Sequence, residues 1–401
     1  MRLLPLAVLA PLLVACAHGA RPRVPPLVSP ADRALDSTLR DAVDRAGIVG
    51  ASTAVVVDGR IIWMRSYGLA DRERAEPLTP KTVMSLASVA KTTVGVTMLR
   101  LVHRRRLDLD ADVNDYLPFR IVNPHRPTAR IMLRHLATHT SSITDRRDFY
   151  AALYRPPTAP RASLDALLRS YLVADGADYR PENFLPVPPG ASRDYSNLGA
   201  ALAAYVVERV VGEPFDAHTA RVIFTPLGLR SATWAPPSDE RTGESRLYDQ
   251  DSAGTHRVAP YALASYPDGG LRMSVEDLAR YFAMLLGHGA VGGVRIVDSA
   301  AVAEMRRFQW TAARKPADVD LADANSGLFW RTKFGGRRVG HGGNDVGVAA
   351  EMLTDAAGRV GIVLVSNTSL HGAANRQFLR MIEALTAYGN SVAANSGGAA
   401  P

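Results

Sequence analysis

The chain has 401 residues, of which 47% are hydrophobic, 7% aromatic and 21% charged, a composition that builds a large buried core and excludes a disordered polymer. Its formal charge of +8 is carried by scattered basic residues, and the densest run, Arg104-Arg105-Arg106, is followed at once by Asp108 and Asp110. The absence of a basic stripe with interleaved aromatics excludes nucleic acid as a partner, and a single cysteine, Cys16, excludes an internal disulfide.

At the N-terminus Arg2 precedes an apolar run from Leu3 to Val14, too short to span a bilayer and interrupted by Pro5 and Pro11. Residues 1–15 therefore read as an export signal. The run ends in Leu13-Val14-Ala15-Cys16, which resembles the lipobox of bacterial lipoprotein precursors. That resemblance implies cleavage before Cys16, acylation of its thiol and a protein of the bacterial cell envelope held to the membrane by lipid, periplasmic or on the outer surface. Residues 16–30, with Pro22, Pro25, Pro26 and Pro30, form an extended tether.

Residues 31–389 read as one folded unit. Ala31 to Ala46 has the spacing of an amphipathic helix. Ala51–Val57 and Arg60–Tyr67 flank Asp58-Gly59, a two-residue hairpin signal. Near the other end, Val339–His341, Val348–Thr354 and Gly361–Asn367 are apolar or alternating runs, followed by a helical pattern over Phe378–Leu385. The segment from about 101 to 263 is mainly helical, including Ser163–Val173 and Leu198–Val211, with long Pro-rich connections. These patterns predict an α/β (α+β) fold in which strands from both chain ends make an antiparallel sheet flanked by helices, with a mainly helical lobe inserted and a cleft between. Residues 390–401 are Ala, Gly, Ser and Asn without periodicity, apart from Val392 and the final Pro401, and are expected to be disordered.

Only four of the 47 Lys and Arg are lysine: Lys81, Lys91, Lys315 and Lys333. Arginine does not lose its proton in a protein, whereas a lysine amine can act as a base. Lys91 lies three residues after Ser88, within a helical pattern formed by Val89, Val94, Val96, Met98, Leu99 and Leu101. Positions i and i+3 share a helix face, so the amine reaches the hydroxyl. Ser88 falls in the first turn, where free N–H groups and the helix dipole favour a developing alkoxide.

Two further segments, Arg193-Asp194-Tyr195-Ser196-Asn197 and Gly340-His341-Gly342-Gly343-Asn344, complete a pattern. With Ser88-x-x-Lys91 they resemble, in order and spacing, the S-x-x-K, Y-x-N and K/H-x-G motifs of the serine β-lactamase and D-alanyl-D-alanine peptidase superfamily, β-lactamase/transpeptidase-like in fold. Arg134 to Ser141, Pro226-Leu227-Gly228-Leu229 and Gly269 to Ser274 extend the likeness over nearly all of residues 30 to 388. The branch resembled holds class C β-lactamases, D-Ala-D-Ala carboxypeptidases, D-aminopeptidases and family VIII esterases. The resemblance implies that Ser88 is the nucleophile, Lys91 its activator and Tyr195 the acid/base serving the leaving group. It implies that Asn197 orients Lys91 or a substrate amide, that His341, Gly342 and Gly343 line the substrate, and that the backbone N–H groups of Ser88 and Asn344 form the oxyanion hole. No cofactor is implied.

The chain departs from that pattern in two places. Ser142 stands where relatives usually have glycine, so the turn there is expected to differ. His341 replaces the lysine of the third motif, which removes a fixed cation for a β-lactam carboxylate unless the imidazole is protonated. His135 and His139 are four apart, but without the glutamate of H-E-x-x-H they do not read as a metal site. A Ser88–His341–Asp triad is a second way to activate the serine. The resulting expectation is a serine hydrolase acting through an acyl-enzyme on an ester or a D-amino-acid amide or peptide. The alternatives are a β-lactamase and a non-catalytic envelope protein that binds peptidoglycan fragments.

Overall fold

The computed structural model describes residues 29–251 and 253–397; the export signal, Cys16 and nearly all of the tether lie outside these residues. Helix α1 (Pro30–Ala46) opens on a reciprocal cap, Ser29 accepting from Asp32 N at 3.0 Å and Asp32 accepting from Ser29 N at 2.8 Å. Strands β1 (Gly50–Val57) and β2 (Arg60–Asp71) follow. Asp58 and Gly59 both take positive φ, 48° and 73°, the conformation that matches the twist of a two-residue hairpin.

The central sheet has seven strands. Besides β1 and β2 it contains β3 (Glu76–Pro77), β4 (Arg331–Lys333), β5 (Arg338–Asp345), β6 (Val348–Thr354) and β7 (Val360–Ser366), in the order β4-β5-β6-β7-β1-β2-β3. All pairings are antiparallel, and β1 lies against β7 with Ala51 opposite Ser366. The two chain ends therefore meet in the middle of the sheet, as the sequence predicts.

Both faces of the sheet are covered, because side chains alternate between them. On one face Val55, Val57, Ile362 and Leu364 pack with Leu35 and Leu39 of α1 and with Phe378 and Met381 of the last helix. On the other, Ala54, Val56, Met352, Val363 and Val365 pack into the core of the inserted lobe. That lobe contains α2 (Lys91–His103) and α3 (Asn197–Val211), which pack on each other, while α4 (Val275–Leu286) packs on β1, β2 and β7.

The last helix, α5, runs Gly372–Gly397, well past the expected Phe378–Leu385. The expectation of disorder from 390 is corrected as far as 397. Ala393 is buried in the core under the sheet, and Gly389 approaches Val55 and Val360 so closely that a methyl group would sit 3.0 and 2.5 Å from their side chains. Tertiary contact holds a segment whose own composition has no helical periodicity.

Candidate active site

The chain enters the site through a strained turn. Ala87 has φ 45°, a left-handed conformation costing an alanine about 1–2 kcal/mol, and it begins the 3-10 turn Ala87–Ala90 that runs directly into α2. Ser88 sits in that turn, partly exposed, while Lys91 is completely buried. The three-residue spacing does what helical geometry requires: Lys91 Nζ lies 3.0 Å from Ser88 Oγ.

Two other atoms fix the amine. Lys91 Nζ donates to Asn197 Oδ1 at 2.7 Å and to the backbone carbonyl of Asp268 at 2.6 Å. Both partners can only accept. These two bonds leave the amine's remaining position facing Ser88 Oγ, the one partner of the three that also carries a proton.

Tyr195 approaches from the N-terminus of α3. Its ring stacks on His139 (centroids 4.2 Å apart) and lies 5.1 Å from Lys91 Nζ. Its hydroxyl is buried without a hydrogen-bond partner among the described residues. Such an orphan is costly unless another molecule completes it.

A carboxylate that sequence reasoning missed holds this turn. Asp145 accepts from Ser196 Oγ (2.7 Å), Asn197 N (2.5 Å) and Leu198 N (3.1 Å), satisfying orphan donors at the start of α3. His139 assists, its Nδ1 accepting from Ser196 N at 3.3 Å and its carbonyl from Asp194 N at 2.9 Å. The fifty residues separating Asp145 from this helix leave no local signal.

Strand β5 forms the opposite wall. A methyl group on Gly343 would sit 2.5 Å from Leu86 O and 2.9 Å from Ser88 N, so only glycine lets this strand lie against the serine turn. The Gly343–Asn344 peptide thereby comes beside the Ser88 N–H. Gly342 leaves room on the other side for the ion pair between Lys333 and Glu351 at 2.5 Å.

His341 is buried and donates from Nδ1 to Gly342 O at 2.7 Å, leaving Nε2 without a partner among the described residues. Burial first, then the nearby Arg331 and Lys91 cations, push its pKa well below the ordinary value. The imidazole is neutral near pH 7, so the third motif supplies no cation. With Nδ1 on a backbone carbonyl, the triad alternative also lacks its orienting aspartate.

His135 and His139 do not share a helix face, because the helix over Leu133–Ala137 has ended and His139 takes φ 56°. His135 Nδ1 accepts instead from Met132 N at 3.3 Å. Ser142 adopts φ 64°, the conformation glycine takes freely, and its hydroxyl donates to Val187 O at 2.8 Å.

Asp268 is a second missed carboxyl. It is completely buried, accepts from Ser265 Oγ at 2.6 Å and Tyr150 OH at 3.3 Å, and is pushed up to about 7, chiefly by burial. An open cleft adjoins the site, lined by Pro156, Trp234, Tyr261, Leu263 and Tyr266 and by Ala87, Gly269 and Asp345, chain neighbours of Ser88, Asp268 and Asn344.

A serine paired to a buried lysine between a helical lobe and a sheet defines the class, and comparison with known proteins agrees. Residues 35–386 match the Beta-lactamase family model, and the chain belongs to that family. It is 33% identical over 281 residues to esterase EstB of Burkholderia gladioli, covering 61% of this chain and 68% of that one. It is 27% identical over 267 residues to penicillin-binding protein 4 of Amycolatopsis lactamdurans, covering 65% of each. In fold it is similar to the D-amino acid amidase of Ochrobactrum anthropi SV3, with a TM-score of 0.67 at 22% identity over 89% of this chain and 98% of the other.

Proposed function

We propose that the protein is a serine hydrolase that cleaves an ester or a D-amino-acid amide or peptide through an acyl-enzyme on Ser88. In the forward step the Ser88 proton passes to Lys91 Nζ as Oγ bonds to the substrate carbonyl carbon. The N–H groups of Ser88 and Asn344 hold the resulting oxyanion. Tyr195 gives its hydroxyl proton to the leaving oxygen or nitrogen as that bond breaks and recovers one from the water that later attacks the acyl group, while Lys91 returns its proton to Ser88 Oγ as the acyl bond breaks.

The observation that carries this reading is the set of three partners around Lys91 Nζ: Ser88 Oγ, Asn197 Oδ1 and Asp268 O. A binding protein without chemistry has no use for a buried amine aimed at a hydroxyl. The apolar cleft gives space for an acyl or aromatic substituent. The test is a screen of p-nitrophenyl esters, D-amino-acid amides, D-Ala-D-Ala peptides and nitrocefin on the protein lacking residues 1–16. Intact-mass measurement of a fluorophosphonate adduct on wild type and Ser88→Ala accompanies it. Turnover with an adduct confined to wild type is expected; equal labelling of both overturns the assignment.

A further inference from the structure

Three carboxyls lie within Coulombic reach of Lys91: Asp145, Asp268 and Asp345. Two of them accept backbone N–H groups, Asp145 from Asn197 and Leu198, and Asp345 from Val346 at 2.8 Å. Asp268 accepts none among the described residues. Its carboxyl is completely buried, and its partners are two hydroxyls, Ser265 Oγ at 2.6 Å and Tyr150 OH at 3.3 Å. Hydroxyls accept as well as donate, so these partners satisfy the carboxyl in either charge state: as an anion that takes both O–H bonds, and as an acid that gives its own proton to one of the two oxygens.

The same residue touches the lysine. Asp268 O accepts from Lys91 Nζ at 2.6 Å, so a carboxyl that its surroundings accept both charged and neutral stands on a residue that fixes the amine. The other titratable groups facing Asp268 are Asp145, Tyr150, Tyr154 and Asp345. Burial raises both tyrosines above the ordinary phenol range and keeps them neutral. Burial also brings Asp268 up to about 7, against the opposing pull of Lys91 and the Ser265 bond and with Asp145 and Asp345 adding to it, so this carboxyl changes charge near neutral pH.

Lys91 takes the Ser88 proton only while its amine is free. A carboxylate beside it stabilises the ammonium and withholds that base, whereas a neutral acid in the same place does not. We propose that Asp268 is a positioning residue acting through Lys91: as a neutral acid it leaves the lysine able to accept the Ser88 proton, and as a carboxylate it holds the lysine as an ammonium. This rests on Ser88 being the nucleophile and Lys91 its base. The two groups then titrate as a pair, with apparent values that belong to both.

The test reads Lys91 directly. The chain has four lysines, so protein labelled with carbon-13 at lysine Cε gives few NMR resonances, and Lys91→Arg identifies the one from Lys91. Its titration midpoint should fall on the order of one pH unit in Asp268→Asn, and by less in Ser265→Ala, which removes a bond favouring the carboxylate while leaving the carboxyl in place. The rate of fluorophosphonate labelling at Ser88, followed against pH, should move with it, its acid limb shifting to lower pH in both variants. A merely structural effect lowers the rate without moving the limb. An unchanged midpoint in Asp268→Asn, or in Ser265→Ala should the asparagine variant not fold, overturns the proposal, as does a moved midpoint with an unmoved labelling limb. If the midpoint moves while wild type is never labelled, the coupling of Asp268 to Lys91 stands and the nucleophile assignment is what fails.

Discussion

Asp145 accepts the backbone N–H of Asn197 at 2.5 Å, and Asn197 in turn accepts from Lys91 at 2.7 Å, so a carboxylate outside the three motifs fixes the residue that fixes the lysine. Asp145→Asn replaces an acceptor-only group by one that must turn an NH₂ toward backbone donors. It should cost about 1–3 kcal/mol of stability and, by shifting Tyr195 and Asn197, lower kcat on the order of 10–100-fold. Denaturant unfolding and steady-state kinetics separate the two effects; a loss of stability with kcat intact would reduce Asp145 to a helix cap.

Lys91→Arg should be nearly as inactive as Lys91→Ala. Keeping the charge does not restore an amine that can take a proton, and losing a positioned base costs about 10²–10⁴ in rate. Rates of fluorophosphonate labelling at Ser88 measure the step directly. Near-wild-type labelling of the arginine variant would leave Lys91 only an electrostatic role.

Gly343→Ala should fold less stably by about 1–3 kcal/mol and lose most of its activity. The added methyl group falls 2.5 Å from Leu86 O and 2.9 Å from Ser88 N, so β5 must move away from the serine turn. An alanine variant with an unchanged melting temperature and full turnover would show that the strand does not contact the turn as described.

Asp268 makes stability depend on pH in a defined direction. Its pKa is raised in the folded protein to about 7 from 3.8, so between those values the native state holds a proton that the unfolded chain has released. Stability should therefore fall as pH rises from about 4 to about 7, and Asp268→Asn should flatten that slope. Urea midpoints of the two proteins across this range give the difference; parallel curves would mean that the carboxyl is ionised throughout.

The wild-type precursor should partition with membranes and take up a fatty-acid probe, and Cys16→Ser should abolish both or block maturation. Metabolic labelling followed by fractionation reads each step. An unlabelled, freely soluble wild type would make Cys16 incidental.

Much of the site was legible in sequence because its spacing is local. Ser88 and Lys91 meet through helical periodicity, and Asp58-Gly59 announces its hairpin through backbone conformation. Asp145, Arg331 and Asp268 were not legible, since their roles come from burial and from contacts between distant segments. The neutrality of His341 was equally hidden, because it follows from desolvation and from arginine and lysine side chains that no nearby position encodes. The length of α5 escaped for a related reason: Gly389 and Ala393 are held by the sheet and not by helical propensity.

The meeting of β1 and β7 at the sheet centre also sets a timetable. Ala51 waits for Ser366, and β5, which walls the serine turn, is adjoined through β6 to β7. During synthesis Ser88 and Lys91 emerge some 250 residues before Gly343. A nascent chain thus carries its reactive pair long before the wall that shapes the site exists, and pairing over such sequence separations is slow to nucleate. Hydrolytic competence arrives only once the C-terminal strands have docked.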